Sequence, residues 1–505
     1  MEKMAAQSAE PRARMMLERA HWAAVRFAAY DRQRTLKIVR AAAEAGFQRA
    51  GHYAEWAVRE TGFGVVEHKK IKNELCSRGL YEHYKDEVFV GKKIDAKRKI
   101  VEIARPAGVI FALTPSTNPV STAFYKIVLA LLTRNAILVS PHPLAKGCTA
   151  DAVKLMADAA VKAGAPDGAI QVIEEPTVEL IQAIMAEPRT DVILATGGVA
   201  VVRAAYRSGN PAIGVGPGNA PVLVDATADL AKAARHVVMS KSFDNSILCT
   251  NESVLIAEEA VADKLLRHLR AEGAHLPNDG EREQLRAYLF PEGRFNIKTI
   301  GKDAAWIAAE AGFRVPAKTK ILLAPFDIAV PEEPFCREKL CPVLGFHRVS
   351  HVKRGIDVAR AVVRIGGAGH SAAIHSRDPR AVMAFGAAVN VLRVAVNSPC
   401  STGAAGFDTH LAPSMTIGTG FLGRSSIGEN VGPQHLINWT RIAHNKDGAD
   451  AFGDYSAIEP WDSLAGPAPA EPLPNRADDG EDPLAGMRDE IRRLVLEELR
   501  SVLAD

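Results

Sequence analysis

From Arg12 to about Val90, apolar side chains recur at helical intervals. Met15, Trp22, Val25, Phe27, Ile38 and Val39 stand in an Ala-rich background that holds almost no Pro or Gly. The spacing then changes. Residues 99–106 alternate apolar with charged side chains and predict a half-exposed strand, while 108–113 is a continuous apolar run stopped by Thr114-Pro115 and predicts a buried one. Apolar runs at 136–140, 171–173 and 192–195 are each followed by a helical stretch, the last through Thr196-Gly197-Gly198. A second series at 253–256, 321–324, 372–375 and 393–396 predicts another α/β unit from about 241 to 415. Strand and helix by turns predict an α/β fold with doubly wound parallel sheets and helices on both faces.

Past Trp461 the pattern stops. Residues 463–482 carry Pro467, Pro469, Pro472 and Pro474 with several acidic side chains and almost no large apolar ones, the composition of a flexible linker. Asp482-Pro483 then predicts a helix start, and Leu484, Met487, Ile491, Leu494, Val495, Leu499 and Val502 fall on one face of a helix over 483–505. An amphipathic helix is thus placed on a tether.

Composition narrows the function. A chain of 505 residues, 47% hydrophobic and 24% charged, has room for several domains with a cleft between them. Its net charge of +3 speaks against the many phosphate contacts of a nucleic-acid binder. The longest apolar runs, 108–113 and 127–132, fall well short of the roughly 18 residues of a membrane span. The first 20 residues mix charges and show no secretory signal, and six cysteines are scattered without paired spacing, so a reduced, cytoplasmic protein without a metal site is expected.

Few residues suggest chemistry when read alone. Gly418-Thr419-Gly420-Phe421-Leu422-Gly423 has the dinucleotide-loop spacing, but a Gly- and Pro-containing loop follows it where a helix is required, so it reads as a decoy. Thr196-Gly197-Gly198 is better placed, between an apolar run and a helix, where small residues let a ligand approach the backbone; a tight turn is the plainer reading. Cys249 lies after a helix and before a strand, and a lone Cys among apolar neighbours commonly serves packing.

In combination these segments resemble the aldehyde dehydrogenase superfamily, and within it the CoA-acylating branch. The matching runs are Thr114-Pro115-Ser116-Thr117-Asn118-Pro119, Ser140-Pro141-His142-Pro143, Ala195-Thr196-Gly197-Gly198, the stretch Ile213-Gly214-Val215-Gly216-Pro217-Gly218-Asn219-Ala220-Pro221, the Cys249 segment, Glu338-Lys339-Leu340-Cys341-Pro342-Val343-Leu344-Gly345, and Gly428-Glu429-Asn430-Val431-Gly432-Pro433. The resemblance spans residues 15–445 in the family's order. It implies the aldehyde dehydrogenase fold: an NAD- and CoA-binding domain over 1–94 and 107–240, a catalytic thiol domain over 241–415, and an oligomerisation arm over 95–106 and 416–450 that makes a homodimer or tetramer.

The resemblance also implies roles. Cys249 is the nucleophile toward a short-chain aldehyde, Asn118 with the Cys249 backbone N–H stabilises the oxyanion, and Glu338 holds the nicotinamide ribose. Thr114, Pro115, Ser140, Pro141, His142, Thr196, Gly197, Gly198, Gly216 and Leu340 belong to the nucleotide cleft, while neither His142 nor His370 is given a proton-transfer role. Hydrolytic members carry a Glu before a Gly-Gly pair; the corresponding stretch here, 211–224, has no carboxylate to activate water, so CoA is the implied acyl acceptor. The nearest alternatives are a non-acylating or phosphate-using dehydrogenase and a catalytically idle scaffold of the same fold. The chain length leaves no room for an iron-dependent alcohol dehydrogenase half. The tail resembles the peptides that direct enzymes to the shell proteins of bacterial microcompartments, with an oligomerisation helix as the alternative.

Overall fold

The computed structural model describes residues 2–460. The linker at 463–482 and the helix expected at 483–505 lie outside the described residues.

The first five-stranded sheet is wholly parallel, in the spatial order Ile170–Val172, Ala136–Ser140, Val109–Leu113, Val192–Ala195, Ala212–Gly214. The chain starts at its middle strand, builds outward on one side, and returns to build on the other. The switch point therefore lies between the ends of Val109–Leu113 and Val192–Ala195, where open α/β sheets bind ligands. Every residue of Val109–Leu113 and Ala136–Ser140 is buried, because both faces are covered. Alternate side chains feed two separate cores: Val109 and Phe111 pack with Leu17 and Ala20 of the helix Glu2–Ala28, whereas Ile110 and Ala112 pack toward the wholly buried helix Pro119–Leu132.

Lys126 of that helix is buried and donates to the carbonyls of Leu113 (2.7 Å) and Leu194 (2.8 Å), tying together the two strand ends at the switch point. Burial drives its pKa far below the ordinary lysine range.

The second sheet has seven parallel strands in the order Ala274–His275, Ile321–Pro325, Val343–Val349, Glu252–Glu258, Ala220–Val224, Ala372–His375, Val394–Val396. Ala220–Val224 is central to it, pairing with both Glu252–Glu258 and Ala372–His375. A boundary at 240 would sever that strand from its sheet; the chain crosses from one sheet to the other at 215–219. A third, antiparallel sheet joins Lys92–Asp95, Ile100–Pro106 and Ile437–Ala443, and so brings together segments over 300 positions apart.

The N-terminal region is helical, but part of its apolar set faces outward. Phe27, Ile38 and Val39 are buried, whereas Met15, Trp22 and Val25 are exposed. The buried stripe of the first helix is instead made by Ala13, Leu17, Ala20 and Ala24. Small side chains allow close approach to the sheet, so the stripe carries little bulk. Among the described residues no helix is long and apolar enough to cross a membrane.

Candidate active site

The C-terminal ends of the first sheet and the N-terminal ends of the second converge on a cavity of about 350 Å³. Pro115 and Asn118 follow the strand Val109–Leu113, Thr196, Gly197 and Gly198 follow Val192–Ala195, and Gly216 lies on the crossover. Cys249 precedes Glu252–Glu258, and Glu338 and Leu340 precede Val343–Val349. His142 lines the cavity from the end of Ala136–Ser140. Thr114, Ser140 and Pro141 do not line it: they are buried behind its wall, where the Thr114 N–H donates to the Ser140 carbonyl at 3.1 Å. Their motif positions terminate strands, which turns them inward.

Cys249 stands apart from the other cysteines. All six are free; the other five are buried, and Cys249 is half-buried on the cavity wall. Desolvation pushes its thiol pKa up to about 12, with the Glu338 charge adding to the rise and Arg393 opposing it. Glu338 is the one carboxylate among the described residues lining the cavity, and its pKa is raised to about 7 by burial, moderated by a hydrogen bond from the Gly218 backbone. Gly218 has no room for a side chain: a Cβ there would overlap the Cys249 carbonyl and stand 3.1 Å from Glu338 Oε1.

The turn leading to Cys249 is unusual in its backbone. Asp244 (φ 49°), Asn245 (φ 50°) and Ser246 (φ 64°) are three successive non-glycine residues in the left-handed region. Such residues cost about 1–3 kcal/mol each and persist only where their surroundings hold them. Here the Asp244 carboxylate accepts from the Val65 N–H (2.6 Å), Lys69 Nζ (3.2 Å) and Lys72 Nζ, its own N–H donates to His68 Nδ1 (2.9 Å), and Asn245 Nδ2 donates to the Gly301 carbonyl (2.9 Å).

Asn118 occupies the N-cap position of the helix Pro119–Leu132, yet its side chain caps nothing. Its Oδ1 instead accepts from Lys72 Nζ, and Nδ2 donates to Thr117 Oγ1 at 3.2 Å and reaches the Ile247 carbonyl at 3.4 Å. Both contacts of the amide nitrogen are long ones, beside the turn that carries Cys249. On the opposite wall, Gly198 opens the helix Val199–Arg207, and nothing lies within 4 Å of where its Cβ would stand. That bare backbone suits a nucleotide lying across it.

Sequence reasoning missed several features of the cavity. Thr122, Ile247, Leu248, Ala405, Met415 and Ile417 also line it. The last two belong to a segment followed by a loop fixed by buried Arg393, which donates to Asn430 Oδ1 (2.7 Å) and to the carbonyls of His370 (2.8 Å), Gly428 (2.6 Å) and Gly418. The Gly-rich motif at 418–423 lies in this loop and leads into the three-residue turn Phe421–Gly423, not into a helix. His370 is buried, with its pKa pushed down to about 3 mainly by desolvation, and does not line the cavity.

A half-buried cysteine beside an amide, between the switch point of one parallel sheet and the strand starts of a second, is an arrangement that suits thiol chemistry on a bound substrate. The Aldehyde dehydrogenase family profile matches residues 2–286, and the chain belongs to that family. It is 40% identical over 434 residues to the bifunctional aldehyde-alcohol dehydrogenase AdhE of Escherichia coli K12, covering 85% of this chain and 49% of that protein. The chain thus spans about half the length of the bifunctional relatives it matches. It is 38% identical to the acetylating succinate-semialdehyde dehydrogenase of Clostridium kluyveri, over 86% of this chain and 96% of the relative.

Solved structures agree with the fold. The acetylating aldehyde dehydrogenase of Geobacillus thermoglucosidasius superposes with TM-score 0.85 at 37% identity, covering 88% of this chain and 99% of that one. The propionaldehyde dehydrogenase of Rhodopseudomonas palustris with bound propionyl-CoA gives TM-score 0.77 at 29% identity (86% and 94% covered). The propionaldehyde dehydrogenase of the Clostridium phytofermentans fucose utilisation bacterial microcompartment gives 0.77 at 28% (85% and 96%).

Proposed function

We propose that this chain oxidises a short-chain aldehyde with NAD and CoA to acyl-CoA and NADH. The observation that carries the reading is the position of Cys249, the one cysteine on the cavity wall, beside Asn118 and next to a crossover segment, 211–224, that bears no carboxylate. Cys249, its thiol proton lost to solvent, attacks the aldehyde carbon as the thiolate, and the oxyanion that forms is met by Asn118 Nδ2 and the Cys249 backbone N–H. Thr196–Gly198 would hold NAD, with Glu338 at its ribose, and the bound cofactor would supply the hydride acceptor for the oxidation of the hemithioacetal to a thioester. Water has no base on the crossover loop to attack that thioester. The CoA thiol, which ionises far more readily than water, displaces Cys249 and restores the free thiol.

The aldehyde side of the cavity is lined by Thr122, Ile247, Leu248, Ala405, Met415 and Ile417, a small, mostly apolar wall that suits an uncharged aldehyde of two to four carbons. The name of the Clostridium kluyveri relative points to acyl transfer, and the Rhodopseudomonas palustris structure holds propionyl-CoA, which supports CoA as co-substrate. The test is an assay of such aldehydes with NAD or NADP. Acyl-CoA formed in step with NADH supports the reading, whereas free acid or acyl phosphate sinks it in favour of a non-acylating enzyme. The three-stranded sheet at 92–106 and 437–443 is proposed as the arm through which a homodimer or tetramer assembles.

We also propose that the chain is cargo of a bacterial microcompartment in the bacterial cytoplasm, tethered to shell proteins by residues 483–505. The Pro-rich composition of 463–482, the apolar face from Leu484 to Val502 and the likeness to a microcompartment enzyme support this. Residues 482–505 fused to a fluorescent protein should give puncta in a host that makes the shell; diffuse fluorescence contradicts it.

A further inference from the structure

Behind the amide assigned to the oxyanion lies a buried charge cluster that no step above uses. Lys69 and Lys72, on the helix Val66–Glu74, are 3% and 1% exposed and share one carboxylate, that of Asp244, which is wholly buried. Burying three charged groups is costly unless each is paired, and here two ammonium groups divide a single carboxylate. Their remaining hydrogen bonds show where the surplus positive charge is directed. Lys69 Nζ donates to the Thr117 carbonyl at 2.9 Å, and Lys72 Nζ donates to Asn118 Oδ1. Both contacts end on the short segment that leads into the helix Pro119–Leu132, within one residue of each other.

The consequence for Asn118 is directional. An amide can present either its oxygen or its NH₂ to a cavity, and an ammonium group accepts no hydrogen bond, so Oδ1 must face Lys72 and Nδ2 must face away. Nδ2 then lies on the side of Ile247, which lines the cavity next to Cys249. A cation on the carbonyl oxygen also draws electron density from the amide nitrogen and makes its N–H groups stronger donors. Asp244, in the left-handed turn two residues before Ser246, accepts from the same ammonium.

We propose that Lys72 is the positioning residue of the oxyanion site, orienting and polarising the Asn118 amide, while Asp244 keeps its other ties to Lys69 and the Val65 N–H. The inference rests on the assignment of Asn118 as oxyanion donor, and the test separates the two. The readout is the single-turnover rate of NADH formation, which reports the chemical step, together with KM for NAD. Lys72→Met keeps the length and apolar stem but removes the charge and the donor. It should slow the single turnover by about 10–100-fold, part of what an oxyanion donor supplies, with KM for NAD within about twofold of the parent. Adding Lys72→Met to Asn118→Ala should cost little more than Asn118→Ala alone, because Lys72 acts through that amide. Lys72→Gln, which retains a neutral donor, should recover part of the rate and gives a second route if the Met variant does not fold.

If Asn118→Ala slows the reaction but a folded Lys72 variant turns over like the parent, or if the two losses multiply in the double variant, Lys72 has no positioning role. If Asn118→Ala itself leaves the rate unchanged, the oxyanion assignment falls, and this inference with it.

Discussion

The wall of the cleft that carries Asn118 and Cys249 is tied by buried charges, whereas the wall that carries Thr196, Gly197 and Gly198 has few side-chain ties. On the first, Lys69, Lys72 and Asp244 hold three left-handed residues and one amide in fixed positions. On the second, Gly198 is exposed with open space around it, and the one side-chain contact of the turn is Thr196 Oγ1 to Thr416 Oγ1 at 3.1 Å. The difference matches what each wall is asked to do. Reacting atoms need placement to a fraction of an ångström, and preorganised charge is the means. If NADH and CoA use the second wall in turn, as the proposed reaction allows, bare backbone is what different ligands can share.

The largest effect is expected at Cys249, the proposed nucleophile. Cys249→Ala should lower NADH formation by more than about 10⁴-fold, while NAD affinity, measured by fluorescence titration, changes little because other segments build that wall. Asn118→Ala comes next, with a loss in kcat of about 10²–10³-fold; a change confined to KM would place Asn118 in substrate binding only. Gly218→Ala follows. Its Cβ would overlap the Cys249 carbonyl, so activity should fall by over tenfold with about 1–3 kcal/mol of lost stability, read as Tm alongside kcat.

Glu338→Gln should act on both walls. It should raise KM for NAD, and it removes the like charge that helps hold the Cys249 thiol up. The sign follows from Glu338 titrating near 7. Above that pH the carboxylate is ionised, so alkylation of Cys249 by iodoacetamide should be faster in the variant. Below it the carboxyl is neutral and the two proteins should react alike. The smallest effect is expected at Gly198→Ala, where nothing is met within 4 Å: Tm should hold within about 1 °C and KM for NAD should rise a few-fold as the added methyl meets the nucleotide.

The parallel strands were legible where burial on both faces makes an unbroken apolar run, as in Val109–Leu113 and Ala136–Ser140. Val343–Val349 was hidden because Gly345, His347 and Arg348 interrupt its text. Gly345 is needed since a Cβ there would stand 2.6 Å from the Phe335 carbonyl, and His347 is accommodated by a 3.0 Å contact to the Phe326 carbonyl. Ala220–Val224 was not legible as a strand behind the Gly- and Pro-rich run 214–218, and nothing in its own residues says which sheet it joins; that is decided by partners 252–258 and 372–375.

Within the site, motif positions led to Cys249, Asn118 and Glu338, and the structure places all three on one cavity. Thr114, Ser140 and Pro141 share those motifs yet lie behind the wall, since motif spacing does not reveal which way a strand end turns. The Lys72–Asp244 contact joins residues 172 positions apart. A lysine in the polar segment Val66–Glu74 reads as solvated, and only the packing of that helix against the turn at 244–246 buries it.

In the proposed reaction the acyl group stays on Cys249 until a thiol removes it. Intact-mass spectrometry of the protein mixed with propanal and NAD in the absence of CoA tests this directly. The predicted result is one acyl adduct per chain, mapped to Cys249, with a burst of about one NADH per site that then stops and resumes on adding CoA. Continuous NADH formation with free propionate and no adduct would contradict it.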